Sequence, residues 1–241
     1  MMGRIAGESI PDSEKIVLVL ANSVRSDPSR CVAGREVVGD RFEHWIRPVS
    51  PNGSGEVSYS ERTLTNGHEV AVLDVVRMPL AGRVPDALQP ENWAIKGKRT
   101  WTLVRRARFR ELEELSENPR SIWNEPNARN DSISEDHLRR HPVSQSLYLI
   151  KPIALKIQFY TNDFGKRRRR AVFQYGREQY DLAITDPMVP GNYGARYPQW
   201  PAMREHDLRD RCYVCVSLAH GSFRGRHYKL VATIIDPDHV R

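Results

Sequence analysis

No apolar run in the 241-residue sequence approaches the roughly 18 to 20 residues that a membrane helix needs. The longest, Ile16 to Ala21, has the size of a strand. Met1 to Glu14 lacks the apolar stretch of an export signal and is expected to be a mobile leader (residues 1–14). Cysteine is scarce: Cys31, Cys212 and Cys215 are an odd number and build no disulfide framework. A reducing cytoplasm is therefore the expected location, with no membrane attachment. Reaction signatures are missing as well. There is no Walker phosphate loop, no G-x-S-x-G elbow and no H-E-x-x-H pair. Cys212 and Cys215 lie three apart in an extended stretch, where the two thiols face opposite sides and cannot grip one ion. No metal and no cofactor is expected.

What is present is an uneven charge. Residues 1–146 hold 21 Lys and Arg against 21 Asp and Glu, whereas residues 147–241 hold 16 against 9. The whole formal excess of +7 thus belongs to the C-terminal part. Such asymmetry favours a polyanionic partner, usually nucleic acid. A solubilising surface with no partner is the plainer reading.

Strand signals dominate. Lys15 to Asn22 is a continuous apolar strand, followed by Arg30 to Val38, a Gly39-Asp40 turn and Phe42 to Arg47. Pro48 and Pro51 end that strand and lead into a loop around Gly53 and Gly55. Val70 to Met78 follows as the next strand. Between 85 and 146 prolines recur, and Phe109, Leu112 and Leu115 predict one helix over Arg106 to Glu117, stopped by Asn118-Pro119. The polar stretch Ser121 to His141 reads as a connector. Beyond it, Ile153, Leu155, Ile157 and Phe159 alternate with Lys156, Gln158 and Tyr160, so one face is buried. Arg168 to Tyr175 and Gln179 to Thr185 flank a Gly176-Arg177 hairpin turn, and Arg211 to Leu218 and Tyr228 to Ile235 complete the set. Short strands with glycine turns suggest a small barrel or sandwich.

Segments spread along the chain resemble a bacterial family of dual OB domain-containing proteins. They are Asn22-Ser23, Arg30 to Gly34, Trp45 to Ser50, Leu73 to Val76, Gln89 to Trp93, Thr185-Asp186-Pro187 and Tyr228 to Ala232. The resemblance implies a mainly β protein of two small OB-like barrels joined by a connector with one short helix. Its expected divisions are 15–104, a connector at 105–145, and a basic barrel at 146–241. It also implies the habit of OB barrels, which bind single-stranded nucleic acid or oligosaccharide on one face.

The residues expected to contact phosphates are Arg47, Lys166, Arg167, Arg168, Arg169, Arg170, Arg196, Arg224, Arg226 and Lys229, with Tyr175 and Tyr180 beside them. Trp45, Tyr193, Tyr197 and Trp200 are the candidate stacking rings. Strand alternation splits the run: Arg168 and Arg170 share a face with Val172 and Gln174, while Arg167 and Arg169 share the other with Ala171, Phe173 and Tyr175. At most two or three of its charges can then serve one site. The structural alternative makes Trp45 a core residue and pairs Arg47 with an acid such as Glu56. The expected function is non-catalytic binding of nucleic acid, most simply single-stranded. The alternatives are a regulatory or scaffold subunit holding an acidic protein or a small nucleotide, and an enzyme on modified nucleotides using Asp131, Asp186 or Glu56. His137 and His141 stand four apart, a ligand spacing if helical, but Pro142 argues against that helix.

Overall fold

A computed structural model describes residues 14–24, 28–51, 55–97, 99–194 and 203–240. The chain divides into two compact units, Met1–Leu115 and Ser116–Arg241. Each is built on a β-barrel.

In the first unit the strands are β1 (Glu14–Val24), β2 (Arg30–Val38), β3 (Arg41–Val49), β4 (Asp74–Arg83), β5 (Asn92–Ile95) and β6 (Thr102–Arg106). They follow the order β1-β2-β3-β5-β4, and β4 returns to pair with β1, which closes the circuit. Every pairing is antiparallel except β3 with β5. That five-stranded path, with its third and fifth strands parallel, is the OB arrangement. The early residues of β1, Glu14 to Leu18, pair with β4, and Val17 to Val24 pair with β2. A strand shared between two neighbours in so small a barrel is enclosed on both faces, hence the continuous apolar run. Val17, Val19, Val32, Ile46, Met78 and Trp101 are among its core residues. Where β1 crosses β2, a Cβ on Gly34 would lie 2.0 Å from the Leu18 carbonyl oxygen, so only glycine fits. The strand expected from Val70 begins later, at Asp74. Asp74 accepts a hydrogen bond from the Ala71 amide, and Leu73 sits at φ 73, so Ala71 to Asp74 is a turn.

The second unit contains β7 (Ser132–Ser134), β8 (Leu147–Ile150), β9 (Ile153–Thr161), β10 (Arg167–Tyr175), β11 (Glu178–Ile184), β12 (Met203–Arg209), β13 (Tyr213–Phe223) and β14 (Arg226–Ile235). Its sheet runs β12-β9-β10-β11-β14-β13-β8, with β7 on β14 and with β11 parallel to β14. β8 pairs with β13 and β9 with β10, and only Lys151 and Pro152 separate β8 from β9. Together they do what β1 does in the first unit. Pro152 marks the break because it has no N–H to donate. The remaining path, β9-β10-β11-β14-β13, repeats the first unit strand for strand, and β12 is an addition along the free edge of β9. Leu155, Ile157, Phe159, Ala171, Phe173, Tyr180 and Leu182 fill the interior, and the Phe173 and Tyr180 rings stack at 5.4 Å.

Three expectations change. The helix forecast over Arg106 to Glu117 is a 3-10 turn at Phe109–Glu111 and a single α-turn, α1 (Leu112–Leu115). Arg105 belongs to β6 and holds Glu111 through two hydrogen bonds of 3.1 and 2.8 Å, which blocks a longer helix. Ile153 is 52 % exposed instead of inward, because Ala154 at φ 52 breaks the alternation where β9 starts. Residues 105–145 do not form a separate connector. The part before 116 belongs to the first unit, while Ser132–Ser134 adds a strand to the second and leads into α2 (Glu135–Arg140). Among the described residues, no helix is long and apolar enough to cross a membrane.

Candidate nucleic-acid interface

In OB terms β10 and β11 are the second and third strands of the second barrel, and their outer face is where oligonucleotide-binding OB folds take their ligand. The five-residue turn 162–166 joins the first strand to the second, and Arg224-Gly225 joins the fourth to the fifth.

The alternation expected in β10 holds. Ala171, Phe173 and Tyr175 are buried, whereas Arg168 and Gln174 are exposed on the opposite face. Cross-strand register builds that outer face in rows. Tyr160 of β9 lies opposite Arg168, with Met203 of β12 on its other side. The next row is Glu205, Gln158, Arg170 and Ala183, and the third is Asp207, Lys156, Val172 and Asp181.

Acids neutralise the lower rows. Lys156 Nζ lies 2.8 Å from Glu205, and Arg170 Nε lies 2.7 Å from Asp181. In the row nearest the turn, no carboxylate among the described residues pairs with Arg168, nor does one pair with Lys166 above it. Positive charge is therefore concentrated at the 162–166 end. The turn itself is ordered: Asn162 Oδ1 accepts from the Phe164 amide at 3.2 Å and from the Lys166 amide at 2.8 Å, and Gly165 takes φ 70. It presents Phe164 at 85 % exposure beside Lys166 and Arg167.

Arg169 faces the other side and is half-buried. Burial lowers its pKa, and the Asp186 carboxylate opposes that shift. Asp186 is buried and receives the Met188 and Ile234 amides, which makes it the anchor of the chain after β11. The Arg224 guanidinium sits 5.3 Å from the exposed Phe223 ring, at the opposite end of the strands from 162–166. Arg226 is held by Glu125 and Ser132, each at 2.9 Å.

Several residues expected at the surface are interior. Arg47 and Glu91 form an ion pair at 3.2 Å, each with 4 % of its side chain exposed. The acid is thus Glu91, not Glu56. Trp45 is buried with Arg35 over its ring at 5.7 Å, so its indole offers no open face. Tyr175 and Tyr180 are barrel core. The Tyr175 hydroxyl meets Asn118 and the Pro119 carbonyl, and burial pushes its pKa up to about 12. Tyr193 is buried and donates to Asp236 at 2.5 Å.

Lys229 lies on the inner side of β14, buried, 5.4 Å from the Tyr180 ring and without a hydrogen-bond partner among the described residues. Burial brings its pKa down to about 8. These side chains cannot stack on bases or meet phosphates where they stand. Arg196, Tyr197 and Trp200 lie outside the described residues.

Among the described residues, two rings that the sequence reading left out of the site stand here, Tyr160 on this face and Phe164 on the turn at its end. The signal for Tyr160 was in the sequence, since it alternates with Phe159 and shares its side with Lys156 and Gln158. Among the described residues, no cluster of three or more His, Cys, Asp or Glu is placed to hold a metal.

The profile of the dual OB-containing domain matches residues 15–234, and the chain belongs to that family. No curated protein matches the chain.

Proposed function

We propose that this dual OB protein binds single-stranded nucleic acid across the outer face of β9, β10 and β11. Lys166 and Arg168 contact phosphates, and Tyr160 and Phe164 stack on bases. The observation that carries this reading is the grouping, where the first strand of an OB barrel turns into the second, of an exposed phenylalanine and a partly exposed tyrosine with Arg168 and Lys166. Unpaired bases expose both faces for stacking, whereas a duplex hides them, so this combination selects single strands. Acids bound to Arg170 and Lys156 confine the contact to the 162–168 end of the face. A short segment of strand, spanning few phosphates, is the footprint that results.

Fluorescence anisotropy with labelled single-stranded and duplex oligonucleotides of one sequence tests this. The reading expects saturable binding at low salt, tighter for the single strand. Affinity should fall linearly on a log–log plot with a slope of about −0.7 for each neutralised phosphate. No binding to either form at low salt would sink it. A stoichiometric complex with an acidic protein that survives nuclease treatment would assign the same cations to a protein partner.

A further inference from the structure

A second site lies at the other end of the second barrel, away from residues 162–166. It is a cavity of about 270 Å³, near the lower end of the roughly 300–1,000 Å³ that small-molecule sites span. Two ring pairs line it. Trp123 and Tyr148 stand 4.8 Å apart at an interplanar angle of 39°. His137 and His141, one turn apart at the end of α2, stand 4.6 Å apart at 37°. Trp123 holds φ 47, a left-handed conformation that strains a bulky residue, and its Nε1 donates to the Gln145 carbonyl at 3.0 Å. The indole is therefore fixed in place against Tyr148.

The polar groups of the cavity have unused capacity. Asn124 Oδ1 accepts from the Tyr180 hydroxyl at 3.1 Å, which orients the carboxamide and leaves its NH2 to donate elsewhere. The hydroxyls of Ser121, Ser144 and Tyr148, and the ring nitrogens of both histidines, meet no partner among the described residues. Donors and acceptors thus share the lining with the rings, the hydroxyl of Ser144 and the imidazole of His141 at its exposed rim. No Asp, Glu, Lys or Arg lines the cavity, so it suits a neutral ring.

We infer that this cavity binds a free nucleoside through its base, a planar neutral heteroaromatic with donors and acceptors along its edge. Trp123 and Tyr148 give the ring a stacking surface, and Asn124 and the serines bond its edge. The sugar leaves through the open side past His141. The cavity sits at the opposite end of the strands from the basic turn, which favours a free ligand over a base carried on the strand bound there.

Isothermal titration with adenosine, guanosine, cytidine and uridine tests the assignment. At least one should bind with a dissociation constant below about 1 mM. Tyr148→Leu removes an aromatic face while keeping bulk, and His141→Ala acts at an exposed rim. Each should weaken that nucleoside about tenfold while leaving oligonucleotide affinity unchanged. The inference is overturned if none of the four binds the wild-type protein. Undiminished binding in both variants, or competition by a single-stranded oligonucleotide, overturns it equally.

Discussion

The two barrels share a strand path and differ in what their second and third strands do. In the first, two residues of β3 that point away from the barrel core are covered: Trp45 is buried, and Arg47 is locked to Glu91 at 3.2 Å. In the second, Arg168 and Gln174 on the corresponding face are exposed, and Tyr160 lies between Arg168 and Met203. An aromatic and an arginine stand side by side in both, two apart on β3 in the first barrel and across β9 and β10 in the second, yet only the first pair is buried. What separates them is the partner. A carboxylate 44 residues away consumes Arg47, while no described carboxylate reaches Arg168.

The largest expected effect breaks the closed face. Arg47→Ala leaves Glu91 buried without its cation and should cost about 3–5 kcal/mol of stability, read by urea or guanidinium unfolding. A loss below about 1 kcal/mol would mean that the ion pair is not sealed from water.

Next comes Lys229, the interior counterpart to the exposed cations. Its folded pKa is lowered to about 8 from 10.5, so between those values the unfolded chain holds a proton that the folded one has released. Stability should therefore rise with pH across that window and be penalised below it. Lys229→Met should abolish that rise and raise stability at pH 7 by on the order of 3 kcal/mol, with thermal melts at pH 7 and pH 10 as the check. A destabilised Met variant would show that Lys229 has a partner.

Tyr160→Ala sharpens the open side of the comparison. It should weaken single-strand binding by about 1–3 kcal/mol, measured by anisotropy. The smallest effect belongs to Arg168→Ala. It should change stability by less than about 0.5 kcal/mol, yet reduce the salt slope of binding by about 0.7. An unaltered slope would remove Arg168 from the phosphate contacts.

Much of this architecture was legible in the residues. Alternation in β9 and β10 gave the inner and outer faces, and it placed Tyr175 with Ala171 and Phe173 on the buried one. Reading Tyr175 as a binding ring ran against that pattern, and Tyr160 satisfied it. Periodicity says nothing of what covers a face, so the Tyr175 hydroxyl could not be matched in advance with Asn118, 57 residues away. The Arg47–Glu91 pair was hidden for the same reason. β12 escaped notice because Met203 to Arg209 is a polar edge strand, its charges typical of an edge exposed to water. β7 and β8 are three and four residues long, too short to show a period.

Hydrogen–deuterium exchange with and without a single-stranded oligonucleotide tests the central claim most directly, because it compares both barrels in one experiment. The account predicts slowed exchange in residues 156–170 of β9, the turn and β10, with β2 and β3 unchanged. Protection centred on β2 and β3, with 156–170 unaffected, would contradict it.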